Sequence, residues 1–376
     1  MILKDLCKAL NDKAPEKLFC REGDKVGLFV GDENSDVKKI VTATEARSEV
    51  IDYAIENKVD MILVHHPFFF GGVERVVTSD ILSKKIYKLI QNNVAVYSMH
   101  TNLDSVEGGL NDVFAKLLGL KNVIPIERKK IKYYMLIGFV QEEYKEKVLN
   151  ALFQAGAGSK NNYENVYFNY EGTGHFTAVG EANPLIGVKN QPVSVKEQCF
   201  SVLASELILD KVIQTYNEVH PYDVPVYYVA ESPECDYVPN LGRVGELPKE
   251  MCVEEFTELC KEAFCLPYAK CNFNCDRNLK IKKVGLCSGS GMSIFDKACE
   301  MGCDAFVCGD IKHDQYLHAT DMGKLVLDLG HYETECTSSI VLADYVKEID
   351  NRIEIINFEE KIGNPLVCKM LSNMKD

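Results

Sequence analysis

The chain has 376 residues, 46% of them hydrophobic, and a formal charge of -14. That length predicts two or three domains with large buried cores. So acidic a surface repels nucleic-acid phosphates and anionic membranes, and no long run of Lys and Arg offsets it. Nucleic acid and membrane are therefore poor first partners.

No apolar stretch approaches the roughly 18–20 residues needed to span a bilayer. The first ten residues place charges between apolar positions at helical spacing, which reads as an amphipathic helix rather than a signal peptide. A soluble, cytoplasmic protein is expected. The fifteen cysteines then read as reduced thiols. Cys271 with Cys275, and Cys299, Cys303 and Cys308, lack the Cys-x-x-Cys pairs of a zinc ribbon. They fit small buried hydrophobes.

From residue 39 to about 120 the pattern alternates strand and helix. Strands are expected at 40–44, 61–64 and 94–99, and helices at 49–57, 80–92 and 110–118, the last closed by Gly119. This order predicts a mainly parallel sheet covered by helices. The same grammar returns at 284–287, followed by a tight turn at 288–291 and a helix at 293–301. Further strands are expected at 305–308, 325–329 and 353–358, with a helix at about 335–346.

The intervening segment differs. Strands at 133–140, 166–170, 175–178, 198–203 and 224–229 and helices at 142–153 and 205–216 suit an α+β, ferredoxin-like sandwich. The expected organisation is an α/β domain made of residues 1–126 and 234–376, interrupted by an inserted domain at 127–233.

Three groups carry chemistry, each at the end of an expected buried strand, where open α/β sheets place ligands. Val64-His65-His66-Pro67-Phe68 offers two adjacent imidazoles, able to approach two ions or flank one. His100-Thr101-Asn102-Leu103-Asp104 adds a nitrogen and a carboxylate; alone it also reads as an Asn/Asp turn with a hydrogen-bonded histidine. Gly330-His331-Tyr332-Glu333-Thr334-Glu335 puts a His and a Glu four apart on one helical face. Glu335 at a helix N-terminus could equally be a surface carboxylate favoured by the dipole. Together the groups gather four of the eight histidines with two carboxylates, a set that suits zinc, manganese or iron. A bridging carboxylate would hold two ions about 3.5–4 Å apart. Gly309-Asp310 could orient a ligand. His313 and Asp314 could contact substrate or cap the next helix. Ser288 to Gly291 could cradle an anion or form a plain turn, and His220-Pro221-Tyr222-Asp223 reads as a rigid structural turn.

At these residues the chain resembles the Nif-three-like dinuclear metal-centre family, also known as GTP cyclohydrolase I type 2 homologues. The matching pieces are Val64-His65-His66-Pro67, His100 to Asp104 with Gly108-Gly109, Gly309-Asp310-Ile311-Lys312, and Gly330-His331-Tyr332 with Thr334-Glu335. The inserted segment resembles the middle domain of the longer bacterial members, which is similar to PII and CutA folds. That match lies in Ala155-Gly156-Ala157-Gly158, Asn162-Tyr163-Glu164-Asn165, Ala182-Asn183-Pro184 and His220 to Pro225.

The resemblance implies two divalent ions per chain, with ligands at His65, His66, Asp104, His331 and Glu335. It also implies a homohexameric ring and a metal-dependent hydrolase acting on a nucleotide or other small molecule. His100 would be free to carry a proton or hold substrate. The alternative is a non-enzymatic metal-binding regulator or chaperone whose middle domain senses a ligand. Two positions depart from the family pattern. Lys312-His313-Asp314-Gln315 replaces Lys-Tyr-His-Asp, and Glu45 stands where many members carry Asp. Both bear on substrate choice and leave the implied ligands intact.

Overall fold

The computed structural model describes residues 1–272 and 278–358; Cys275 lies outside them. The chain divides into two compact units, 1–129 with 239–376, and 130–238. The protein has a mixed α/β fold, and among the described residues no helix is long and apolar enough to cross a membrane.

The discontinuous unit contains two sheets. The first has five strands in the order Gly27–Val30, Ala95–Ser98, Met61–Val64, Lys39–Ala43 and Glu354–Asn357. The last four run parallel, and Gly27–Val30 pairs antiparallel at the edge. Met61–Val64 is buried at every position because helices cover both faces of a central parallel strand. Ile62 and Val64 pack with Val50, Ile51 and Ala54 of the Ser48–Glu56 helix. Each of these Val and Ile side chains contributes about 1.5–3 kcal/mol when removed from water.

The second sheet is mixed, with six strands in the order Lys270–Cys271, Leu325–Asp328, Ala305–Gly309, Ile281–Ser290, Arg243–Met251 and Lys121–Pro125. Its middle three are parallel, and the flanking pairs are antiparallel. Phe114, Leu286, Val307 and Leu327 share one core beneath it.

In the 130–238 unit the strands and helices follow the order βαββαβ. Strand Arg128–Val140 is followed by helix Glu142–Gln154, strands Tyr167–Thr177 and Pro192–Ser205, helix Leu209–Val219 and strand Tyr227–Pro239. The sheet order is second, third, first, fourth. Leu136, Phe200, Val202, Leu152 and Tyr216 form its core.

Several local expectations change. The two strands expected at 166–170 and 175–178 are one strand, Tyr167–Thr177, because its ladder with Pro192–Ser205 passes unbroken through Gly172 and Gly174. The helix expected at 335–346 is two helices, His331–Glu335 and Ser338–Ile349. The turn expected at 288–291 is mostly strand, since Ile281–Ser290 continues to Ser290 opposite Gly309.

Candidate metal centre

His65 and His66 follow the Met61–Val64 strand, and the His66 N–H donates to the Thr44 carbonyl at 2.9 Å. His65 is fully buried. Its Nδ1–H donates to the Met99 carbonyl at 2.8 Å, which leaves Nε2 as the lone-pair nitrogen. His66 Nδ1 donates to Glu45 Oε1 at 3.0 Å, and His331 Nδ1 donates to Asp310 Oδ2 at 2.6 Å. All three rings are thereby turned so that Nε2 faces one place, the orientation that acceptors behind a metal-binding imidazole enforce.

Asp104 lies in the short helix Thr101–Ser105 and is buried, so the segment is a helix rather than an Asn/Asp turn, although its histidine is hydrogen-bonded as that alternative supposed. The Ser288 hydroxyl donates to Asp104 Oδ1 at 2.6 Å. Asn111 ties the same place together: its Nδ2 donates to the Asp104 carbonyl and its Oδ1 accepts from the Ser288 N–H. Just beyond, the buried Arg243 guanidinium donates to the Ser105 and Val106 carbonyls at 3.1 Å and pairs with Asp112.

His331 and Glu335 open and close one short helix that begins after Gly330, whose φ of 94° lets the chain turn there. Glu335 is buried at the end of that helix, so it is not a surface carboxylate at a helix N-terminus. Thr334 accepts from the Gly289 N–H at 3.0 Å. With the Ser288 and Gly289 N–H groups both engaged by protein acceptors, the 288–291 segment does not present them to an anion. Gly289 acts otherwise: its bare Cα, at φ 57°, leaves the space that the Glu335 carboxylate fills.

These elements bring the five predicted ligands together. Glu335 Oε2 stands 2.8 Å from His66 Nε2 and 3.1 Å from His331 Nε2, and the two nitrogens are 3.3 Å apart. Glu335 Oε1 lies 3.7 Å from His65 Nε2, and Asp104 Oδ1 lies 3.8 Å from the same nitrogen. His65 Nε2 has no hydrogen-bond partner although it is buried. In a tetrahedral shell with bonds of about 2.0–2.2 Å, ligand atoms stand roughly 3.3–3.6 Å apart. The donor set therefore fits a divalent cation, and three overlapping groups could hold one: His66–His331–Glu335, His65–Asp104–Glu335 and His65–His66–His100.

The electrostatics point the same way. Lone pairs on His66 and His331 cannot face a carboxylate without positive charge between them. Burial lowers the His66 pKa, but hydrogen bonding to Glu335 and Glu45 prevails and raises it to about 10. Hydrogen bonding to Glu335 raises that of His331 to about 9. Burial pushes Asp104 up, whereas the surrounding histidines, against burial, hold Glu335 well below the carboxylate range. The cluster can therefore take positive charge, as protons or as a metal ion.

His100 sits beside this group, its ring 5.4 Å from that of His65 and 5.7 Å from that of His66. Its Nδ1 donates to Asp24 Oδ1 at 2.6 Å, while the Thr101 hydroxyl and N–H donate to Asp24 Oδ2. Burial works against the Asp24 charge, yet these bonds bring its pKa to about 2. Asp24 escaped the sequence reading, and Gly289 entered it only as part of the 288–291 turn, since neither stands near a histidine in sequence. His313 and Asp314 begin the His313–Asp321 helix and are exposed. Cys303 and Cys308 are buried and Cys271 and Cys299 half-buried, and burial raises the thiol pKa of all four.

Known proteins match this chain along its length. A Staphylococcus epidermidis protein named GTP cyclohydrolase 1 type 2 homolog is 33% identical over 350 residues, 93% of each chain. A Listeria innocua protein of the same name is 31% identical over 354 residues, again 93% of each. Among solved structures, a Bacillus cereus protein related to NIF3 superposes with a TM-score of 0.75 at 28% identity, covering 98% of both chains. A Staphylococcus aureus protein superposes with a TM-score of 0.74 at 26% identity, over 100% of this chain and 99% of that one. The family described as Duf34/NIF3 (NGG1p interacting factor 3) matches residues 1–363, and the chain belongs to it.

Proposed function

We propose that the protein is a dinuclear metal-dependent hydrolase with His65, His66, Asp104, His331 and Glu335 as its metal ligands. The observation that carries this reading is the placement of Glu335, one oxygen toward His65 and the other toward His66 and His331. A carboxylate so placed would be able to serve two ions, and the ligand chemistry suits zinc, manganese or iron. When bound, such ions acidify a coordinated water and polarise a carbonyl or phosphoryl oxygen.

The chain's own residues supply the rest. His100, held at Nδ1 by Asp24, keeps Nε2 for a substrate proton. A cavity of about 420 Å³ opens beside His66, His100 and His331, lined also by Phe68, Phe70 and Lys85. An ammonium group and two phenyl rings suit an anionic substrate with a planar part, such as a nucleotide. The relatives' name, GTP cyclohydrolase 1 type 2 homolog, agrees with that class. A cytoplasmic homohexamer, implied by the family resemblance, belongs to the same reading. The deciding experiment is metal analysis of the purified protein, followed by a screen of nucleotides and phosphoesters with the metal bound and stripped. Turnover that disappears on stripping and returns on reloading is expected. Metal bound without any turnover would sink the hydrolase assignment.

A second reading is a non-enzymatic metal-binding regulator or chaperone. Here residues 127–233 form an inserted ferredoxin-like domain, similar to PII and CutA, that senses a small ligand. The βαββαβ order and the strand order second-third-first-fourth support that fold. A cavity within the 130–238 unit favours the sensing role.

A further inference from the structure

The helix that carries Asp104 is too short to hold itself. Thr101–Ser105 has five residues, whereas an isolated helix shorter than about 12–15 residues is marginal in water. The last carbonyls of any helix lack partners within it. Here three consecutive carbonyls accept from side chains. That of Asp104 accepts from Asn111 Nδ2 at 2.9 Å, and those of Ser105 and Val106 accept from Arg243 Nη2, each at 3.1 Å.

Arg243 reaches this segment from a rigid frame. It opens the Arg243–Met251 strand, opposite Leu286 on one side and Pro125 on the other. The strand of Leu286 also carries Ser288, whose hydroxyl donates to Asp104 Oδ1 at 2.6 Å. The backbone around Asp104 and its carboxylate are thus held from one and the same sheet.

Every arm of the guanidinium is used. Nε and Nη2 donate to the two Asp112 oxygens at 2.6 and 3.1 Å, and Nη1 donates to the Asn240 and Gly242 carbonyls at 2.8 and 3.0 Å. The Ser105 hydroxyl donates to Asn240 Oδ1 at 3.1 Å, a second tie between the same two segments. Arg243 is only 2% exposed. Burying a charge is costly, and an apolar side chain of similar volume would serve packing alone as well or better. It would offer no donors to the carbonyls that follow Asp104.

We propose that Arg243 is a positioning residue for Asp104, fixing the backbone from which its carboxylate meets His65. The proposal rests on the reading of Asp104 as a metal ligand. Asp104 Oδ1 lies 3.8 Å from His65 Nε2, and that separation is set by where the short helix ends. Lysine is no substitute: its ammonium is a single point, and it cannot span Asp112 and two carbonyls as a planar fork does.

The test is titration of the metal-free, full-length protein with cobalt(II) chloride, followed through the visible absorption of the bound ion, which reports its ligand set. Wild type and Arg243→Lys are compared with Asp104→Ala and His331→Ala, and thermal unfolding of each metal-free protein is measured alongside. Arg243→Lys should bind cobalt about 10–100-fold more weakly, as loss of the groups that orient a ligand does. Its spectrum should shift toward that of Asp104→Ala and not toward that of His331→Ala. If Arg243→Lys does not fold, Asp112→Asn decides. That variant sits at a half-buried position, loosens the other anchor of the fork, and should show the same shift in spectrum with weaker binding. Wild-type spectrum and affinity in the deciding variant, even with a lowered unfolding midpoint, would make Arg243 structural and overturn the proposal. A spectrum shifted equally toward His331→Ala would overturn it as well. Unchanged cobalt binding in Asp104→Ala would remove the ligand itself, and would mark failure of the ligand assignment rather than of the Arg243 contact.

Discussion

The Glu335 carboxylate lies against the bare Cα of Gly289, in the space a Cβ would occupy. The two residues come from different strand ends, and the contact aims one Glu335 oxygen at His65 while the other meets His66 and His331. Gly289→Ala therefore does two things. It puts a side chain at φ 57°, at a cost of about 1–2 kcal/mol, and it displaces Glu335. Metal content measured by plasma mass spectrometry should fall to less than about half, while circular dichroism still reports a folded chain. Full metal retention would show that Glu335 does not depend on this contact.

Proton release should accompany metal uptake. The His66 pKa stands at about 10 and that of His331 at about 9, both above the ordinary 6.5. The metal-free protein thus carries protons on both rings at neutral pH, and a metal ion must displace them. About two protons should leave per loaded chain near pH 7.5, and metal affinity should rise with pH up to about 10. For the metal-free protein, the same raised values are stabilising; that contribution is complete below about pH 6.5 and lost as pH climbs through 9 to 10. Calorimetry in Hepes and in Tris separates the proton heat from the binding heat. A binding heat independent of buffer would refute the displacement.

Ligands and the proton carrier should separate under mutation. His331→Ala and Asp104→Ala should each lower metal occupancy without unfolding the protein. His100→Ala should keep the metal and slow turnover of whichever substrate the screen finds by about 10²–10⁴. Asp24→Asn, which weakens the grip on His100 Nδ1, should shift the pH–rate profile with occupancy unchanged. A collapse of metal content in His100→Ala would make His100 a ligand, and an unchanged rate would make it structural.

Replacing residues 130–238 with a short linker should leave a folded protein that still binds metal, because all five proposed ligands lie in the other compact unit. Size-exclusion chromatography and metal analysis across several linker lengths check this. An insoluble or metal-free product at every length would show that the unit is needed for folding.

The sequence by itself determined where the histidines stand. Met61–Val64 and Ala95–Ser98 lie in short, mostly apolar runs bounded by polar residues, which fit buried strands, so His65, His66 and His100 were expected at strand ends. The His331-to-Glu335 spacing likewise put both side chains on one face of whatever helix formed there.

The antiparallel margins of the second sheet were not legible. Lys121–Pro125 is almost entirely exposed and carries no apolar alternation, and it becomes a strand only because Arg243–Met251 pairs with it. Tertiary structure alone decided the roles of Asp24, Asn111, Arg243 and Gly289. Each acts on a partner far away in sequence: His100 for Asp24, Ser288 for Asn111, the carbonyls after Asp104 for Arg243, and Glu335 for Gly289. Local pattern reports which residues a strand buries. It carries no record of which distant carboxylate will lie beside an imidazole, because packing of the whole unit sets that distance.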